Sequence, residues 1–258
     1  MSSKKNYVIK IVTDLNKLSN RADEVNPDEK VAGLKPLINT VKDTLKINSQ
    51  VVALCAPQVG IRKRIFCMKF KDGVIKTIIN PMITHSEGLH LSREISASIP
   101  GKEYIIPRHD SIIAMYQTEN GNIEENKFEG TPCEVFEQMF YMLDGIVISD
   151  YGLEIMDGFD EASDEEKEEI ITMYMDWLKG FDENLGKEIE ANPKMRDFKK
   201  AIEFLSSVAK GETEVVPEIN GELDFSQSTK VAVEEQNKME KERIQKIKEK
   251  YIDKKEPK

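Results

Sequence analysis

Between Val51 and Gly130 the chain is written in short apolar runs broken by turn-forming residues, and this rhythm limits what it can fold into. VVALCAPQVG (51–60), RIFCMKF (64–70) and KTIINPMITH (76–85), the last with an Asn-Pro turn signal, have the length and the β-branched and aromatic content of strands in an antiparallel sheet. DSIIAMYQT (110–118) and NKFEG (126–130) flank Glu119-Asn120-Gly121-Asn122, where Asn-Gly supplies the positive φ of a tight turn, so 110–130 reads as a hairpin. Thr131 as N-cap and Pro132 at the first helical position then open a helix in TPCEVFEQMFYMLDGIVI (131–148). Upstream, YVIKIVTD (7–14) reads as a strand or extended arm, followed by a loop through Pro27. Val31, Leu34, Leu37, Ile38, Val41 and Leu45 then recur at helical steps, predicting an amphipathic helix that ends near Asn48.

Past Asp160 the pattern changes to long helical stretches without strand signals. Ser163 with Glu166 forms a capping box, and Ile170, Tyr174, Trp177, Leu178, Phe181 and Leu185 mark one apolar face below it. A second helix is predicted from Asn192-Pro193, burying Met195, Phe198, Ile202, Leu205 and Val208 and stopping at Gly211. The predicted organisation is therefore a domain over 1–160, a helical extension over 161–211, a linker over 212–230 rich in polar residues, Pro and Gly, and a charged C-terminal helix over 231–258. That last helix carries only Ile244, Ile247 and Tyr251 as an apolar stripe, too thin to bury alone, so a protein partner is expected at the C-terminal helices. No internal repeat is present.

Composition removes several function classes. A formal charge of -10 disfavours nucleic acid, whose binders carry a clustered basic footprint. In the one lysine-rich stretch, Val231–Lys258, glutamates interleave with the lysines, as on a solvated helix face. No apolar run approaches the roughly 18 residues of a membrane span, and MSSKKNYVIKIVTDL has no secretory h-region, so no membrane association and a cytoplasmic location are expected. Cys55, Cys67 and Cys133 are odd in number and scattered, as buried small hydrophobes would be.

Four stretches, in order over roughly residues 5–155, resemble the peptide deformylases. VVALCAPQVG (51–60) is similar to the family's GxGLAAPQVG, with Val51 and Ala53 replacing its two leading glycines. INPMI (79–83) resembles the INP strand. REISASIPG (93–101) corresponds to EEGCLSIPG, keeping Glu94, Ser98, Ile99, Pro100 and Gly101 but with Ile95 for glycine, Ser96 for the cysteine ligand and Ala97 for leucine. EQMFYMLDGIVISDY (137–151) corresponds to QHExDHLxGxLFxDR, keeping Leu143, Gly145 and Asp150, with Gln138, Met139 and Met142 where the family has histidine, glutamate and histidine.

The resemblance implies an α+β fold in which antiparallel sheets wrap a central helix, 131–146, with an added C-terminal helical region. It also implies a divalent ion held by the cysteine and the two histidines, a glutamate that shuttles the proton, and a loop glutamine and backbone amide that stabilise the tetrahedral intermediate. Ser96, Gln138 and Met142 bring no charge to such an ion, and Met139 takes no proton from water. Gln58, Ser96, Gln138, Met139 and Met142 thus read as a vestigial pocket, with no catalytic residue, no metal and no cofactor. Filling by Met and the loss of glycines at 51 and 95 are expected to narrow the cleft. The reading that follows is a catalytically inactive deformylase-like protein with a binding, structural or assembly role, located in the cytoplasm, or in host cytoplasm or virion if it is a virus or phage component. Two alternatives stand beside it: a metal-dependent hydrolase using substitute ligands, and a ribosome-associated regulator.

Several residues carry two readings. His85, His90 and His109 are the only histidines; His90 with Glu94 could rebuild a ligand pair, though lone surface histidines are the commoner state. Met115, Met139, Met142, Met156, Met173 and Met175 could suggest a site for Cu(I), though core filling is their ordinary role. Glu134 lies one turn before Gln138 and either points into the pocket or complements the positive helix N-terminus, its ordinary role. Gln58 is either a retained ligand contact or, as the preferred reading, a buried amide that satisfies backbone groups.

Overall fold

The structure is a computed structural model that describes residues 9–26, 31–70 and 72–191. Within these, eight strands follow one another: β1 (Ala53–Cys55), β2 (Ile65–Lys69), β3 (Ile75–Glu87), β4 (His90–Ser96), β5 (Ile99–Arg108), β6 (Ser111–Gln117), β7 (Ile123–Glu129) and β8 (Leu153–Glu154). The helices are α1 (Leu15–Leu18), α2 (Val31–Ile47), α3 (Thr131–Leu143), α4 (Ile148–Tyr151), α5 (Asp164–Phe181) and α6 (Glu183–Ala191). The strands form two antiparallel sheets, one of five in the order β1-β2-β3-β6-β7 and one of three in the order β4-β5-β8. This is the α+β architecture that the resemblance to the deformylases implies.

Helix α3 contacts β1, β2 and β7 of the larger sheet and β5 of the smaller. Its apolar side explains the position: Cys133, Val135, Phe136, Met139, Met142 and Leu143 are buried. Phe136 meets Phe66 of β2 edge-on at 5.1 Å and Phe128 of β7 at 4.7 Å between ring centroids, an arrangement worth about 0.5–1.5 kcal/mol per pair beyond area burial. On the other face of β1 and β2, α2 buries Leu34, Ile38, Val41 and Leu45 against Leu54, Ile65 and Cys67.

The structure moves several predicted boundaries. Asn80-Pro81 does not end a strand: β3 runs through it, with a register shift between Ile79 and Met82. Asn80 takes a positive φ of 48° there, and its side chain accepts from Val25 N and donates to Val25 O, which holds the preceding loop to the sheet. A bulge absorbs what a turn would otherwise need. The N-cap of α3 is Gly130, at φ 55°, rather than Thr131, which is the first helical residue. The helix ends at Leu143 instead of 146, because Gly145 takes φ 80° where an added Cβ would lie 2.8 Å from Ser19 O. Residues 9–14 form no strand; Val12 N donates to Gln58 O as the arm passes.

After Asp160 the chain keeps packing on the same core. Ile171, Tyr174, Met175 and Leu178 of α5 and Ile189 of α6 are buried with Leu89, Leu91, Ile105 and Ile106 of the smaller sheet and its approach, and the Tyr174 hydroxyl donates to Tyr151 O. The change of composition there is not a break in packing. The predicted face from Ile170 to Leu185 is split at Asp182, whose carboxylate accepts from Asn184 N and Leu185 N and so starts α6. On the outer side of α5, Trp177 stacks between Tyr174 and Phe181 and is 50% exposed. The helix predicted over 192–211, the linker over 212–230 and the charged helix over 231–258 lie outside the described residues.

Candidate active site

Strands β1 and β4 are edge strands of different sheets; α3 packs on β1 and is hydrogen-bonded to β4 through Gln138. Between them opens a cavity of about 700 Å³ whose walls include Val51, Ala53, Gln58, Ser92, Glu94, Ile95, Ser96, Ala97, Glu134, Gln138 and Met139. The cavity remains open with Val51, Ile95 and Met139 in its lining. Alternation along β4 turns Glu94 and Ser96 inward and Ile95 outward, 51% exposed, so the residue that replaces a glycine stands on the rim. Four residues of the predicted pocket, Gln58, Ser96, Gln138 and Met139, line the cavity, whereas Met142 is buried and forms no part of its wall.

The polar groups are heavily committed. Gln58 Oε1 accepts from Cys55 N at 3.0 Å and its Nε2 donates to Ser98 Oγ at 3.2 Å, so it satisfies the backbone of its own loop. Ser96 Oγ accepts from Ser98 N. Gln138 Nε2 donates to Ile95 O at 2.9 Å and to Glu94 Oε2 at 3.1 Å, which uses both of its N–H groups to tie α3 to β4.

Behind that contact lies a buried ion pair. Arg108, on β5, grips Glu94 with Nε and Nη2 at 2.7 and 2.9 Å and donates from Nη1 to the Tyr151 hydroxyl at 2.7 Å. Burial pushes the Glu94 carboxyl upward while the guanidinium pulls it back down. Arg108 carries no signal in the linear sequence, but Tyr151 does, since it stands where the fourth motif has arginine.

Two histidines bridge carboxylates. His90 Nδ1 lies 2.9 Å from Asp110 and Nε2 lies 2.9 Å from Glu134. Burial lowers the His90 imidazole, and the bonds and charges of Glu134 and Asp110 outweigh this and raise it. Glu134 therefore does more than complement a helix dipole: it faces the cavity. His109 Nδ1 meets Glu137 at 2.6 Å and Nε2 meets Glu188 at 2.9 Å, linking α3 to α6. Burial pulls that imidazole down too, but the two carboxylates raise it to about 8. His85 has no part in the cavity wall.

The sequence model of the polypeptide deformylase family matches residues 8–155. The chain belongs to that family. A peptide deformylase of Dictyoglomus turgidum is 35% identical over 127 residues, 49% of this chain and 80% of the relative. One of Thermodesulfovibrio yellowstonii is 31% identical over 140 residues, 53% of this chain and 81% of the relative. Among solved structures, the peptide deformylase of Ehrlichia chaffeensis superposes with a TM-score of 0.52 at 27% identity, covering 64% of this chain and 94% of the other. A probable peptide deformylase from Synechococcus phage S-SSM7 superposes with a TM-score of 0.51 at 26% identity, covering 55% of this chain and 99% of the other.

These matches overturn the expectation of a catalytically inactive binding or assembly protein, because deformylase relatives point to an enzyme.

A deformylase scaffold implies a divalent ion at positions 96, 138 and 142. The donors present do not fit one. Ser96 is a neutral hydroxyl, Gln138 spends its amide protons across the cleft wall, and the Met142 thioether is buried away from it. Among the described residues no group of three or more His, Cys, Asp or Glu converges as metal ligands do. The pairing of His90 with Glu94 is not made either; His90 turns to Asp110 and Glu134 instead. Cys55 and Cys133 are held as thiols by burial, that of Cys55 pushed up to about 12. Among the described residues no helix is long and apolar enough to cross a membrane.

Proposed function

We propose that the chain is a hydrolase of the deformylase family that removes the formyl group from the amino-terminal end of a peptide lying extended in the cleft. The observation that carries this reading is that the family match spans the elements that build the cleft, and that the cleft stays open between two sheet edges. β1 and β4 each have one strand neighbour, so each offers an outward edge to an extended backbone, the geometry of strand addition. Val51, Val52, Ile95 and Ile99 supply an apolar wall for the first side chains. At the head of the peptide, Gln58 Nε2 has a second N–H beyond its bond to Ser98, and this is the donor for the formyl oxygen as negative charge develops there.

The test is release of formate from N-formyl-Met-Ala-Ser by the purified full-length chain, run with a chelator and with added Fe²⁺, Ni²⁺ or Zn²⁺. Formate is expected in every arm. No formate in any arm removes the hydrolase reading, and formate only with added ion would show that the donor-set argument is wrong.

A further inference from the structure

We propose that proton transfer in this cleft has moved along α3 from the position of Met139 to Glu134, with His90 and Asp110 as positioning residues behind it. The inference rests on the hydrolase reading above. Met139 lines the cavity with a thioether that takes no proton at neutral pH, so the water that attacks a formyl carbon needs another base. Three carboxylates line the cavity, and two of them are paired with an arginine, whose permanent charge makes each a weaker base. Both oxygens of Glu94 are held by Arg108, and one also by Gln138. Glu103 is drawn to Arg93.

Glu134 differs. It projects from the same face of α3 as Gln138, four residues on, and lines the cavity. Its Oε1 bonds His90 Nε2, and among the described residues its Oε2 makes no hydrogen bond. The opposite nitrogen of His90 is fixed by Asp110. Asp110 in turn comes close because residue 88 is glycine: at φ 70°, an added Cβ there would stand 2.1 Å from Asp110 Oδ2. The result is a carboxylate oriented by an imidazole that is itself oriented by a second carboxylate, the support a proton-transfer group needs.

The step balances. Water oxygen forms a bond to the formyl carbon and its proton passes to Glu134 Oε2, while the carbonyl oxygen takes the negative charge beside Gln58. The carbon–nitrogen bond then breaks, the proton moves from Glu134 to the departing amine nitrogen, and formic acid leaves with a free peptide amino group.

Steady-state kinetics of the full-length chain on N-formyl-Met-Ala-Ser test this. Glu134→Gln is isosteric and is expected to lower kcat about 10²–10⁴-fold with KM little changed, while Glu134→Asp restores part of the rate. His90→Gln is expected to lower kcat at unchanged KM. Proton NMR supplies a readout that does not depend on turnover: among three histidines, His90 titrates above the ordinary imidazole range in the wild type and returns toward it in Glu134→Gln. Wild-type turnover in Glu134→Gln would overturn this proposal and leave the hydrolase reading standing. A wild type without turnover removes both. A His90 titration indifferent to Glu134→Gln would break the assigned link between them.

Discussion

Arg108→Met should be among the most damaging single changes in the chain. The Arg108 side chain is fully buried and that of Glu94 is 9% exposed. The substitution keeps apolar bulk but leaves the Glu94 carboxylate without its counter-charge and the Tyr151 hydroxyl without its donor. Stranding one member of a buried pair costs about 3–5 kcal/mol, which for a domain of this size corresponds to a fall in Tm of roughly 6–20 °C. Urea titration followed by circular dichroism measures the loss. Adding Glu94→Gln to Arg108→Met removes the stranded charge while keeping an amide able to meet Gln138, so the double variant should recover about half of the loss. A loss under about 1 kcal/mol, the range of an exposed pair, would refute the reasoning. So would a Glu94→Gln change costing as much on top of Arg108→Met as it costs alone, since contacting partners must couple.

The His109 link makes stability depend on pH. Its imidazole is raised from 6.5 to about 8 in the folded chain, so the contribution is complete below pH 6.5 and disappears as pH climbs through 8. It amounts to at most about 2 kcal/mol; thermal melts at pH 6 and pH 9 should differ by less in His109→Gln than in the wild type, and equal differences would contradict the assignment. Gly145→Ala places a Cβ 2.8 Å from Ser19 O at φ 80°, and should cost about 1–3 kcal/mol in urea; a neutral outcome would mean that the α3–α4 turn relaxes freely. Chelation should leave the melting temperature unchanged, because the donors at 96, 138 and 142 are occupied by the protein's own hydrogen bonds or buried; a drop on chelation would show a structural ion.

Local signals in the sequence carried the strands of the larger sheet and the hairpin with its Asn-Gly turn, because those depend on neighbours in the chain, but left β4, β5 and β8 of the smaller sheet unread. Boundaries decided by distant partners were not legible. Asn80 looks like a turn residue until Val25 supplies both of its bonds, and Asp182 looks like mid-helix until its carboxylate caps α6. The site divides the same way. Gln58, Ser96, Gln138 and Met139 follow from motif positions, but Ile95 reads as a cleft-filler only if strand parity is ignored. Glu134 was visible as one of two possibilities, and the choice turns on His90, 44 residues away in sequence. Arg108 has no local signature, since what defines it is a buried partner on the neighbouring strand.

The aromatic column on α5 gives the molecule a built-in optical gauge. Trp177 is its single tryptophan, sandwiched by Tyr174 and Phe181 rather than lodged among the phenylalanines around α3. Indole emission therefore reports on the outer helix alone, and circular dichroism on the whole. If the two unfolding curves separate, the helix that backs the smaller sheet peels away before the cleft comes apart, and the order of that disassembly can be timed in one cuvette.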